Sequence, residues 1–137
     1  MPLVEAAVDT IESALSAERA GAGRIELCAS LSDAGITPSG GLIAAVVERC
    51  RIPVFVLIRP RGGSFGYSDG EMEIMVRDIA LVKSLGAHGV VAGVLQPNAI
   101  IDVKKVRMLV SAAQPLPVTF HRAFDYASNR AESLEEL

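Results

Sequence analysis

The stretch IPVFVLIRPRGGSFGYSDGE, residues 52–71, carries the reading of the fold. Its apolar run from Val54 to Arg59 has the valine, leucine and isoleucine content of a strand covered on both faces. Pro60 then fixes its own φ and pushes Arg59 toward extended backbone, while Gly62 and Gly63 permit a tight turn. Ser68 precedes Glu71 by the spacing of a capping box, so a helix starts there. A buried strand that ends in two arginines and passes directly into a helix is one β/α unit.

Similar units flank it on both sides. Strands are predicted at Leu3–Ala7, Arg24–Cys28, Gly89–Gly93 and Pro117–Arg122, each followed by turn residues and a helix signal. Helix starts are expected at Asp9 with Glu12, at Thr37 before Pro38, at Asp102 before Val103 and at Asn129 with Glu132. Apolar residues recur with helical period at Met72, Met75, Val76, Ile79 and Val82, and again at Val103, Val106, Leu109 and Val110. The methionines read as core packing rather than as metal ligands. The 137 residues, 50% hydrophobic, amount to a single domain spanning 1–137.

Alternating strands and helices leave two architectures, an open doubly wound sheet or a (β/α) barrel. Polar residues inside the strands favour the barrel: Glu5 in the first, Glu26 and Cys28 alternating along the second, Arg59 and His121 ending the third and fifth. A barrel lumen lets such groups converge and pair, whereas an isolated buried carboxylate costs on the order of several kcal/mol. The first β-to-α turn, Ala7-Val8-Asp9, holds no glycine and is no dinucleotide fingerprint. The expected fold is therefore α/β, a TIM (β/α)8-type barrel, here an incomplete one of about five parallel strands.

Composition narrows the partners. A net charge of -3 and an aromatic content of 4% without tryptophan argue against nucleic acid. No apolar run approaches the roughly 20 residues of a membrane span, and the N-terminus lacks a secretory pattern. Two cysteines, Cys28 and Cys50, are expected as reduced thiols of a cytoplasmic protein, with the nucleus as the alternative compartment.

Chemistry is expected at the C-terminal ends of the strands. Arg59 and Arg61, with Arg122 at the end of the fifth strand, suit bidentate recognition of a carboxylate or phosphate near the Ser68 helix start. The structural alternative is that Arg59 pairs with a lumen carboxylate, Glu5 or Glu26. His121, assisted by Glu26, is the candidate acid or base, or with Glu5 and Glu26 a metal site of hard ligands. His88, at the start of the fourth strand, reads as structural.

Three stretches, AGAGRIELCASLSDAGITPSGGL (20–42), IPVFVLIRPRGGSFGYSDGE (52–71) and LPVTFHRAFD (116–125), resemble the corresponding blocks of the CutC family of copper homeostasis proteins. The resemblance implies a cytoplasmic TIM-type barrel associated with copper tolerance and Cu(I) binding, often oligomeric, with no established reaction. A homo-oligomer with a copper ion as partner is the corresponding expectation. Cys28 would then be a soft ligand for Cu(I), or else a buried small hydrophobe. Many relatives carry a cysteine after the first strand's glutamate, where this chain reads Glu5-Ala6-Ala7. Relatives also continue through further β/α units, so a truncated form is expected rather than two copies completing one sheet. The function expected first is Cu(I) binding or buffering; the alternatives are a barrel enzyme for a small anionic metabolite and a truncated form without activity.

Overall fold

The computed structural model describes residues 1–128 and 130–137, and of residue 136 the backbone alone. Five strands, β1 (Glu5–Val8), β2 (Arg24–Leu27), β3 (Val54–Leu57), β4 (Gly89–Ala92) and β5 (Val118–Phe120), form one sheet. All neighbours run parallel, and the strand order is the chain order, β1-β2-β3-β4-β5. Right-handed crossovers between strands laid down in sequence put every helix on the same side, which is the wall of a TIM-type barrel and not a doubly wound sheet. The covering helices are α1 (Ile11–Arg19), α2 (Gly40–Arg49), α3 (Asp69–Ser84), α4 (Val103–Ala113) and α5 (Arg130–Glu136). None of them is long and apolar enough to cross a membrane, among the described residues.

Strand periodicity divides the side chains between two faces. Val8, Ile25, Leu27, Val54, Val56, Ile58, Val90 and Ala92 meet Ile43, Val46, Met72, Met75, Ile79, Val82 and Leu109 of the helices in the main core. The intervening positions, including Glu26, Cys28, Phe55, Leu57, Arg59, Val91 and His121, look the other way into the lumen. The methionines are core, as expected. Val110 is exposed, and Ala113 is buried in its stead one turn on.

Each strand is shorter than its apolar run. Arg59 leaves the ladder because Thr37 captures its backbone: Arg59 N–H donates to Thr37 Oγ1 at 2.8 Å and Thr37 N–H to Arg59 O at 2.9 Å. That use of Thr37 also explains why Ser39, not Thr37, caps α2. Thr10 rather than Asp9 caps α1, and Asp9 instead accepts from Leu31 N–H at 3.4 Å. Asp102 caps α4, and Ser68 and Glu71 form the full capping box of α3. The start expected at Asn129 lies outside the described residues. Replacing Ser68 by alanine should lower stability by about 1 kcal/mol in a urea titration, with the denaturant slope unchanged.

Candidate functional site

The buried guanidinium of Arg59, 5% exposed, organises the C-terminal mouth of the sheet. Its NH1 donates to Asp33 O (3.0 Å) and Gly35 O (2.8 Å), and its NH2 to Gly63 O (2.8 Å). One side chain thus fastens the loop after β2 to the loop after β3. Its Cζ lies 5.0 Å from the centre of the Phe65 ring. The alternative pairing of Arg59 with Glu5 or Glu26 does not form, because the register sets Glu5 opposite Arg24 at the other end of the strands, where the two make an ion pair.

Arg61 is committed locally. Its Nε and NH2 hold Glu71 in a bidentate pair at 2.6 and 3.1 Å, and its remaining donors reach Gly62 O, Ser64 O and Gly66 O. Those bonds hold the Glu71 carboxyl below the usual carboxylate range, together with the Ser68 N–H. Arg61 shapes the glycine-rich loop and does not line the cleft beside it.

That cleft measures about 810 Å3 and is lined by residues that include Arg59, Tyr67, Gln96, Lys105, Arg122 and Tyr126. Its charged lining is three cations, Arg59, Lys105 and Arg122, against the single carboxylate Asp102. The carboxylate is occupied in capping α4 through Lys105 N–H. Lys105 Nζ donates to Tyr67 O, and Arg122 NH2 donates to Tyr126 Oη at 2.9 Å. Sequence reasoning missed Lys105, although a lysine in the first turn of a helix opposes the macrodipole and so signals a tertiary task. It also missed Tyr67 and Tyr126, the chain's two tyrosines, which both line this cleft.

His121 stands at the edge of the mouth, its ring 4.9 Å from that of Phe65. Gly93 makes room for it, since a Cβ there would sit 2.6 Å from His121 Cε1. Ala123 N–H donates to Nδ1 at 3.1 Å, which assigns the proton to Nε2 and makes the neutral ring a donor. Burial, then the Arg59 charge, pushes its pKa down to about 4. Among the described residues Nε2 has no hydrogen-bond partner.

The second polar station lies deeper. Glu26 pairs in register with Phe55, four residues below the level of Arg59 and His121, roughly 13 Å along the strands at about 3.3 Å per residue. Cys28, Phe55, Leu57 and Val91 pack as an apolar cluster in that interval. The structure does not bring Glu26 to His121. Burial, then repulsion by Glu5, raises the Glu26 pKa to about 7. Cys28 is buried, its Sγ donates to Val8 O at 3.5 Å, and desolvation followed by Glu26 and Asp9 lifts its pKa to about 11. Cys50 caps α2 in the main core, away from Cys28. His88 accepts from Val54 N–H at 3.1 Å at the bottom of the sheet. No group of three or more His, Cys, Asp or Glu side chains that could hold a metal ion occurs among the described residues.

Folded Glu26 keeps its proton to about pH 7, whereas the unfolded carboxyl releases it near 4.5, so between these values the folded state binds the proton better and stability falls as pH rises. His121 acts oppositely between about 4 and 6.5. The difference between Glu26→Gln and the parent isolates Glu26: the variant should melt higher at pH 8 and equally at pH 4, which thermal unfolding at the two pH values checks.

The profile of the CutC family matches residues 2–137. Among curated proteins, the copper homeostasis protein cutC homologs of Mus musculus and Homo sapiens are 53% and 52% identical over 135 residues, covering 98% of this chain and 50% of each relative. A family protein CutC of Mesorhizobium japonicum is 47% identical over 137 residues, 100% of this chain and 53% of that protein. The chain therefore spans about half the length of the curated relatives it matches. The crystal structure of CutC from Streptococcus agalactiae superposes with a TM-score of 0.93 at 37% identity, over 100% of this chain and 68% of that one. PhdJ bound to a substrate intermediate superposes at 0.70 with 13% identity, over 98% of this chain and 48% of that one, a likeness of fold alone.

Proposed function

The chain belongs to the CutC family, and from that premise we propose that its working site is the cationic mouth cleft and its ligand a small anionic metabolite, a carboxylate or a phosphate. The observation that carries this reading is the charge of the lining: three cations against one carboxylate, in a chain whose net charge is -3. Positive charge concentrated against the sign of the whole molecule favours an anion by local field. Arg122, exposed at the rim and held by Tyr126, meets the ligand first. Lys105 and the buried Arg59 supply a fixed field beneath it. His121 offers Nε2–H as a neutral donor at the edge, and Glu26 serves as a lumen carboxylate rather than as the partner of His121.

Cu(I) binding in the cytoplasm is the second reading, favoured by the relatives' name as copper homeostasis proteins. Cu(I) takes thiolate ligands. Cys28 suits it poorly, because its thiol holds its proton to about pH 11 and is spent on Val8 O. A guanidinium-lined mouth also repels a cation. The copper association of the family would then run through the metabolite site rather than through a thiolate cage in this part of the chain.

Calorimetry should detect saturable binding of inorganic phosphate or acetate that weakens as salt is added, and Arg122→Gln should reduce the affinity roughly tenfold at an unchanged melting temperature. Absence of any saturable anion binding at low salt would falsify the proposal. In a chelator competition, Cys28→Ser should leave Cu(I) stoichiometry as it is in the parent; a drop would transfer the function to the thiol.

A further inference from the structure

The cleft is far larger than an inorganic anion requires. Its volume of about 810 Å3 falls within the roughly 300–1,000 Å3 range of pockets for whole small molecules. What else lines it indicates the body that the anionic group carries.

Among the described residues, the buried side-chain polar atoms without a protein partner are Arg59 Nε, Tyr67 Oη and His121 Nε2. The first two belong to residues that line the floor of the cleft, and both residues are more than nine-tenths buried, at 5% and 4% exposure. The nearby Arg59 side chain draws on the Tyr67 hydroxyl, but the two make no hydrogen bond of good geometry, so the water lost on burial is only partly replaced, at a cost to the fold. Phenylalanine would fill the same space without that penalty. Burial raises the Tyr67 pKa against the charge and side-chain approach of Arg59 and the charge of Arg61, so the hydroxyl keeps its proton and can donate it to a ligand. Two donors at one point, one of them on a cation, match the two oxygens of a carboxylate.

Above this floor the groups are flat. Phe65 lies between Arg59, 5.0 Å from its ring centre, and Tyr126, whose ring centre is 5.8 Å away with the planes tilted by 42°. Arg122 in turn covers Tyr126, with Cζ 5.8 Å from the ring centre. Tyr126 is 55% exposed, so its face is open to a ligand at the rim. Leu95, Pro97 and Ala99 contribute further apolar lining.

We propose, resting on the anion-site reading above, that the cleft takes a planar aromatic carboxylate head first: the carboxylate on Tyr67 Oη and Arg59 Nε, the ring against Phe65, and the far end under Tyr126 and Arg122. Tyr67 is then a specificity-determining residue whose hydroxyl serves the ligand and not the fold. Tyr126 selects flat bodies over puckered ones, since π-faces favour stacked or edge-on aromatic partners.

The test is titration calorimetry of the purified chain with benzoate, cyclohexanecarboxylate, acetate and benzyl alcohol. Benzoate should bind roughly tenfold more tightly than acetate and several-fold more tightly than cyclohexanecarboxylate, with benzyl alcohol weakest. Tyr67→Phe should weaken benzoate roughly tenfold while its melting temperature stays equal or rises. Tyr126→Ala, an exposed change, should bring benzoate down to the affinity of acetate. Benzoate no tighter than acetate, benzyl alcohol equal to benzoate, or a Tyr67→Phe protein that binds like the parent overturns the proposal. So does a Tyr67→Phe protein that loses stability along with binding, since the hydroxyl would then be structural. If acetate and phosphate bind but the ring adds nothing, this inference fails and the anion site stands; if no anion binds, both fall.

Discussion

The guanidinium of Arg59 sits where the loops after β2 and β3 meet, and the mouth of the sheet is built around it. Three backbone carbonyls, of Asp33, Gly35 and Gly63, accept its protons. Hydrogen bonds to a charged group are each worth about 1.5–3 kcal/mol, which is the scale needed to hold the strained loop between β2 and α2. Ser30 and Ala34 there adopt left-handed backbone with φ of 51° and 62°, at about 1–2 kcal/mol per residue for side chains with a Cβ. Without the arginine, the carbonyls would face one another under the loop with no donor, and the left-handed turns would lose what compensates them.

The same side chain separates the lumen into two chemical regions. Near the base, Glu5, Arg24 and Glu26 form a small carboxylate-rich network in which Arg24 also lies 4.2 Å over the Phe55 ring. At the mouth, Arg59, Lys105 and Arg122 leave the balance positive. The apolar layer of Cys28, Phe55, Leu57 and Val91 separates one from the other. Distance along the strands keeps the two fields distinct, so Glu26 is perturbed by its burial and then by Glu5, with Arg24 opposing, and not by the cations above it.

Much of the fold was legible because strand and helix periods in this chain are clean. The β3 run, the alternation of Arg24, Glu26 and Cys28, and the box of Ser68 with Glu71 each specify their local structure without help from elsewhere. Helix starts at Asp9 and Thr37 slipped by one or two positions, because each stands near another good cap and is claimed by a distant partner: Asp9 by Leu31, Thr37 by Arg59. The site was less legible. Arg59 and Arg61 look equivalent in sequence, yet one is buried under carbonyls and the other is bound to Glu71. Their difference depends on contacts with residues up to 26 positions away. Lys105 reaches Tyr67 across 38 positions, a separation that no local pattern encodes.

Glu71 has two employments: it closes the capping box of α3 and it grips Arg61. The first turn of the helix and the glycine-rich loop before it therefore share one carboxylate. They should open together rather than separately, and amide protons at Ser68 and Glu71 should exchange with solvent at a common rate set by release of that carboxylate. A loop with three glycines would ordinarily be the loosest part of such a fold. Here it is recruited into the same cooperative unit as a sixteen-residue helix, and the wall of the cleft acquires the rigidity of the element that follows it.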